Sequence, residues 1–169
     1  MIAALIVTGS ATLLAVAIGV GWLRRRYRTV RISGSSMEPA LYSGDLALLA
    51  RTSASRPVRT GQIVVVAQPV HIESGWYWRR SGDQEWTVKR VVATAGEPVP
   101  NNLLDAVEGS PGTRVPGGRL LVLGDQPATS IDSREWGYVP VHGVLGVVVR
   151  VNSATTAGRP LNAAHDARP

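Results

Sequence analysis

The 169-residue sequence contains no cysteine and no phenylalanine, and only one of its eighteen basic side chains belongs to lysine. Without cysteine there is no disulfide framework, no thiol nucleophile and no thiolate-held zinc or iron–sulfur centre. The three histidines, His71, His142 and His165, are scattered with no His-x-x-x-His spacing, and no carboxylates cluster beside them. No metal is therefore expected, no cofactor is called for, and a Ser/His/Asp triad has no histidine placed to serve it. Acidic residues are also sparse, twelve against eighteen basic, giving a net charge of +6. Five of the seventeen arginines lie between Arg24 and Arg31, directly after an apolar run. That clustering matches anionic lipid headgroups better than a nucleic-acid surface, and no zinc-finger or recognition-helix pattern accompanies it. No nucleic-acid partner is expected.

What is present begins with residues 2–23, which carry no charged side chain. About 20 apolar residues match the hydrocarbon thickness of a bilayer, and Trp22 and Tyr27 follow where an interfacial aromatic belt would sit. A cleaved secretory signal is the competing reading. The run is long for a signal core and has no basic residue before it, so an uncleaved anchor is expected. From Thr29 onward, short β-branched runs are punctuated by Gly, Pro, Asp and Ser, the pattern of strands and tight turns. Leu46–Ala50, 63–66, 88–93, 120–123 and 144–151 are the clearest strands, and no window predicts a soluble amphipathic helix. Residues 75–86 predict an aromatic hairpin turning at Ser81-Gly82-Asp83, in which Trp76 and Trp78 serve core packing by default or, as the alternative, dip into the bilayer interface. Residues 100–118 predict a polar Gly/Pro-rich loop, and the tail past Asn152 a disordered end. The divisions expected are a transmembrane anchor over 1–23, a basic juxtamembrane segment over 24–32, a strand-rich domain over 33–151 and a disordered tail over 152–169.

The one lysine, Lys89, sits in a strand whose alternation puts it on the face of Val91 and Ala93. Arginine cannot give up its proton in a protein, whereas a lysine on an apolar face can become a neutral base. To work near neutral pH its pKa must fall from about 10.4 to about 7, a bias of about 4 kcal/mol that burial can supply. A serine for such a base to activate lies in the turn-rich segment Ser33-Gly34-Ser35-Ser36-Met37-Glu38-Pro39-Ala40-Leu41.

Ser36-Met-Glu-Pro-Ala-Leu41 resembles the Ser-Met-x-Pro-Thr-Leu box of the type I signal peptidases, and Gly44-Asp45 follows at that family's spacing. Lys89-Arg90 through Gly96-Glu97 resembles its lysine box, which usually ends Gly-Asp. Gly124-Asp125-Gln126 and Ser130-Ile-Asp132-Ser133-Arg134 resemble its third box, Gly-Asp-Asn and then Ser-x-Asp-Ser-Arg. Three boxes in order are far more specific than any one. The resemblance implies a mostly β fold, a coiled antiparallel sheet domain behind one N-terminal transmembrane helix. It implies Ser36 as nucleophile, Lys89 as general base, Ser130 as the hydroxyl orienting the amine, and Asp132 with Arg134 as support. The oxyanion region would be Gly34, Ser35 and Ser36. Gly34 stands where some members place a second serine, and Ala40, Glu97 and Gln126 are further departures.

The implied activity is removal of leader peptides from exported precursor proteins, with small residues such as Ala at the first and third positions before the cut. The partners are those precursors and the lipid bilayer. The implied location is the cell membrane, single-pass, with the catalytic domain on the extracytoplasmic side, while the positive-inside rule would keep the basic side cytoplasmic. Two rivals remain. A LexA-like self-cleaving repressor uses similar boxes but carries a helix-turn-helix where this chain has an apolar run. A catalytically inactive, membrane-tethered peptide-binding module would have no need of Ser36, Lys89 and Ser130 together.

Overall fold

A computed structural model describes residues 16–52, 57–73, 75–78 and 85–153. Most of the anchor expected over 1–23, the turn expected at 81–83 and nearly all of the tail lie outside these residues. The first described element is a helix over residues 16–26, α1. Its side chains Val16, Ile18, Val20, Trp22 and Leu23 are all exposed. No helix among the described residues is long and apolar enough to cross a membrane. The Arg26 guanidinium lies 4.7 Å from the Trp22 ring centroid, and the amide of Arg51 donates to the Arg26 carbonyl at 3.0 Å.

With no intervening linker the chain enters a strand. Among the described residues nine strands follow: β1 (Tyr27–Arg31), β2 (Leu46–Ala50), β3 (Ile63–Ala67), β4 (Val70–Ile72), β5 (Gly75–Tyr77), β6 (Trp86–Thr94), β7 (Arg119–Leu123), β8 (Val139–Pro140) and β9 (Val144–Asn152). The basic stretch after α1 thus supplies an edge strand of the main sheet. That sheet has seven strands in the order β1-β2-β9-β3-β6-β7-β8, every pair antiparallel. Its fold class is mostly β, as the short β-branched runs predict. Each of the five strands read from the sequence is present, because runs such as Ile63-Val-Val-Val suit a pleated surface buried on both sides.

Register shifts between Leu48 and Leu49, Val65 and Val66, and Val91 and Ala93 mark bulges, which bend strands and increase their twist. The curled sheet consequently has apolar contacts on both faces. Ile63 and Val65 join Ile32, Met37, Leu41 and Leu49 in one cluster, while Val64 and Val66 join Val91, Leu120, Val122 and Trp136 in another. Strand β3 feeds both because its side chains alternate.

Two sequence expectations change. The stretch over 100–118 is not an open loop: it holds two short 3-10 helices, Asn101–Leu103 and Asp105–Val107, and Pro98 bridges Arg114. Leu103 and Val115 are buried against Val99, Ala93 and Leu121, and Leu104 and Val107 pack beside them. Four apolar side chains scattered among turn residues suffice to pin the segment to the sheet. The aromatic segment also pairs differently. Among the described residues β5 pairs with β4, His71 opposite Trp76, while Trp86 pairs with Ala67 of β3. Gly75, at φ 113°, takes the left-handed backbone that this reversal requires. Trp76 and Trp78 pack edge-on against Trp136, at ring-centroid distances of 6.4 and 5.9 Å, which is core packing.

Candidate active site

Ser36 lies in the connection between β1 and β2, and that connection is tied at its base. The amide of Ile32 donates to the Asp45 carbonyl at 2.8 Å, and the amide of Gly44 returns to the Ile32 carbonyl at 2.9 Å. Gly44 has φ 97°, a conformation that favours glycine. The buried Asp45 carboxylate accepts from the amide of Tyr42 at 3.0 Å. Inside the loop Met37 and Leu41 are 2% and 0% exposed, so the residue after Ser36 is anchored in the core while Ser36 itself is half-buried. The Gly-Asp step that follows the serine box therefore closes the loop carrying the serine.

Lys89 comes from the middle of β6. As the alternation predicts, it shares the buried face with Val91 and Ala93, and it is 2% exposed. Its Nζ lies 3.2 Å from Ser36 Oγ and donates to Ser130 Oγ at 3.0 Å. The fold thus joins residues 53 positions apart.

The third component is the chain between β7 and a four-residue helix, α2 (Ser133–Trp136). Ser130 Oγ donates to Asp132 Oδ2 at 2.7 Å. Asp132 is wholly buried and also accepts from the Gly124 amide at 2.8 Å. Arg134 donates to it through Nε at 3.0 Å, through the second guanidinium nitrogen at 2.7 Å, and through its amide. The amide contact makes Asp132 the N-cap of α2. Ser133 is buried too, and its hydroxyl accepts from the Val122 amide at 2.9 Å.

Burial sets the electrostatics. Desolvation lowers the Lys89 pKa; the Asp132 charge works against this, and the Arg134 charge adds to the lowering. Burial opposes the charge on Asp132, but hydrogen bonds from Arg134, Gly124 and Ser130 together outweigh it and hold the carboxyl below the usual range. These hydrogen bonds favour the ionised form of Asp132, and its charge in turn favours the Lys89 proton, an effect that the Arg134 charge partly offsets. The buried lysine amine has two hydroxyl neighbours, Ser36 and Ser130.

A cavity of about 190 Å³ opens over these groups, lined by Gly34, Ser35, Ser36, Lys89, Thr87 and Trp136 among others. Ser35 Oγ donates to Thr129 Oγ1 at 3.3 Å, and the Gln126 amide donates to the Ser36 carbonyl at 3.0 Å. Both contacts tie the serine loop to the segment after β7. All seven residues singled out in the sequence (Gly34, Ser35, Ser36, Lys89, Ser130, Asp132 and Arg134) therefore belong to one cavity or to the hydrogen-bond chain beneath it.

The family model described as "Signal peptidase, peptidase S26" matches residues 4–103 and 100–152. The chain belongs to this type I signal peptidase family. A relative from Synechocystis sp., "Probable signal peptidase I-1", is 29% identical over 132 residues, covering 68% of this chain and 65% of the relative. The chain thus spans slightly less than two thirds of that protein's length.

Three contributors to the signal-peptidase-like site carried no role in the sequence reading. Gly124 is one: a Cβ there would meet Ser130 Oγ at 2.2 Å and the Ser36 carbonyl at 2.7 Å, so only glycine lets the serine loop and Ser130 converge. Arg90 and Asp125 are the others, paired at 2.6 and 2.8 Å, with Arg90 also reaching the Gly61 carbonyl at 3.1 Å. This pair fixes the neighbours of Lys89 and Gly124 to each other. Its sequence signal was the presence of a charge beside each key residue, which names no partner until the strands are paired. Trp136 and Thr87 also line the cavity, and nothing in the linear pattern marks them.

Proposed function

We propose that this protein is a membrane-bound serine endopeptidase that removes leader peptides from exported precursor proteins, using Ser36 as nucleophile and Lys89 as general base. The observation that carries this reading is the buried Lys89 amine between Ser36 Oγ and Ser130 Oγ, at 3.2 and 3.0 Å. Family membership supports the reaction class.

In the reaction, neutral Lys89 accepts the Ser36 hydroxyl proton as Oγ attacks the scissile carbonyl. The resulting oxyanion is received by the Ser36 amide and a donor near Gly34. The C–N bond then breaks as Lys89 returns the proton to the leaving amine, and the substrate remains as an ester on Ser36. Water, deprotonated by Lys89, attacks that ester, and the acyl C–O bond to Ser36 breaks as Lys89 returns the proton to Oγ, which restores the free serine and the neutral amine. Ser130 orients the amine, and Asp132 with Arg134 holds Ser130.

The exposed apolar side chains of α1 support an anchor over 1–23; a basic segment over 24–32, whose residues Tyr27–Arg31 already pair into the sheet as β1, leads to a peptidase domain over 33–151 and a tail over 152–169 that begins at the last residue of β9. The anchor sits in the cell membrane as a single pass with the catalytic domain on the extracytoplasmic side. Substrates carry small residues such as Ala before the cut.

The test is incubation of the detergent-solubilised full chain with a precursor whose leader ends Ala-x-Ala, with the products mapped by mass spectrometry. Cleavage after the second Ala, lost in Ser36→Ala, is the expected result. No Ser36-dependent cleavage of that or any other exported precursor would overturn the reading.

A pH prediction follows from the charges around Lys89. Arg134 disfavours the lysine proton directly and also offsets Asp132, which favours it. Arg134→Gln removes both effects, so the Lys89 pKa rises and less neutral base exists at a given pH. The acid limb of kcat/KM against pH should move to higher pH, with activity partly recovered in alkaline buffer. An unmoved limb would remove Arg134 from the control of the base.

A further inference from the structure

The cavity over Ser36 and Lys89 is lined mostly by small or polar side chains, with two large apolar exceptions, Ile131 and Trp136. Ile131 is 49% exposed and so belongs to the rim, whereas Trp136 is 6% exposed and belongs to the inner wall. Its volume of about 190 Å³ falls below the range of about 300–1,000 Å³ usual for small-molecule pockets. It suits one short side chain of an extended peptide.

The Trp136 ring is held from behind. Trp76 and Trp78, from the segment following β4, meet it edge-on at interplanar angles of 68° and 90°. His71 closes on Trp76 at 4.8 Å, and Trp78 is backed by Gly143, where a Cβ would already lie 3.3 Å from its ring. At its base Trp136 is fixed by α2, whose N-cap is Asp132, and its amide donates to the Asp132 carbonyl at 2.9 Å. The indole is therefore backed by two rings, and interdigitated rings of this kind do not yield cheaply to an added methylene.

We infer that Trp136 is a specificity-determining residue: backed by Trp76 and Trp78, it sets the upper size of the substrate side chain seated beside Ser36. This rests on the peptidase reading above. Removing the large ring deepens the cavity, so branched side chains too long for the native site gain entry while alanine loses only part of its contacts. A pocket distinguishes side chains differing by one methylene by about 10- to 200-fold. A comparable change in preference is expected when its wall is replaced.

The test uses the full detergent-solubilised chain and two series of internally quenched peptides. Ala, Val or Leu is placed at the first position before the cut in one series and at the third in the other. For Trp136→Leu, the ratio of kcat/KM for Leu over Ala should rise about 10-fold or more in one series, with a smaller rise for Trp136→Phe. Trp136→Phe also guards against misfolding, since it retains an aromatic ring, and melting temperatures accompany both variants. A residue that only supports the fold would lower kcat/KM for both peptides together and leave the ratio unmoved. Ser36-dependent cleavage with unchanged ratios in both series overturns this inference alone. Absence of Ser36-dependent cleavage by the native chain overturns the peptidase reading, and this inference with it.

Discussion

Lys89→Arg is expected to lower precursor cleavage by about 10³-fold or more while the protein remains folded, because it keeps the charge and removes the base. Guanidinium holds its proton at any pH a protein survives, so it cannot take the Ser36 hydroxyl proton, and a positioned general base contributes about 10²–10⁴-fold. The local geometry adds to the loss. The amine occupies a site with 2% exposure between two hydroxyls at 3.2 and 3.0 Å, contacts that the larger planar guanidinium does not reproduce in the same geometry. Lys89→Met provides the control, since it fills similar volume without charge or hydrogen bonding. Burial disfavours the ammonium, so Lys89→Met should melt at the same temperature as the native protein or above it and be equally inactive. Loss of cleavage with an unchanged melting temperature assigns Lys89 to chemistry. Retention of native-like cleavage in either variant would remove it as the base.

Gly124→Ala should produce the second largest effect, for a steric reason. The added methyl would lie 2.2 Å from Ser130 Oγ, 2.5 Å from Ser130 Cβ and 2.7 Å from the Ser36 carbonyl oxygen. Something must move, and both neighbours belong to the hydrogen-bond chain that positions Lys89. Displacing catalytic groups by about 1 Å costs about 10²-fold in rate, and overpacking of this kind destabilises by about 1–3 kcal/mol. Gly146 offers a matched comparison: a Cβ there would lie 2.6 Å from the Ala50 carbonyl, away from the cavity. Gly146→Ala should lower the melting temperature and leave kcat of the folded protein near native, whereas Gly124→Ala should lower both. Equal kcat values in the two variants would show that Gly124 serves folding alone.

The sequence by itself determined the mostly β class, five of the strands, the buried face of Lys89 and the family. Strands were legible because β-branched runs bounded by turn residues leave the chain few alternatives, and the face of Lys89 followed from alternation with period two. The boxes carried the site because the chemistry needs particular side chains, and one lysine among seventeen arginines stands out before any folding. Several features depended on which strands became neighbours. The sheet order places β6 beside β7, and that adjacency joins Arg90 to Asp125 and brings Gly124 beneath Ser130 and Ser36. The 100–118 segment reads as loop because its turn residues dominate locally, yet four apolar side chains dock it on the sheet. Nothing in the linear pattern marks Trp136 until Trp76 and Trp78 close behind it. Such contacts join residues tens of positions apart, and local preference carries no term for the surface that another segment will present. Tertiary packing therefore decided which side chains line the cavity, which glycine the converging loops require and how far burial outweighs the Asp132 charge in lowering the Lys89 pKa.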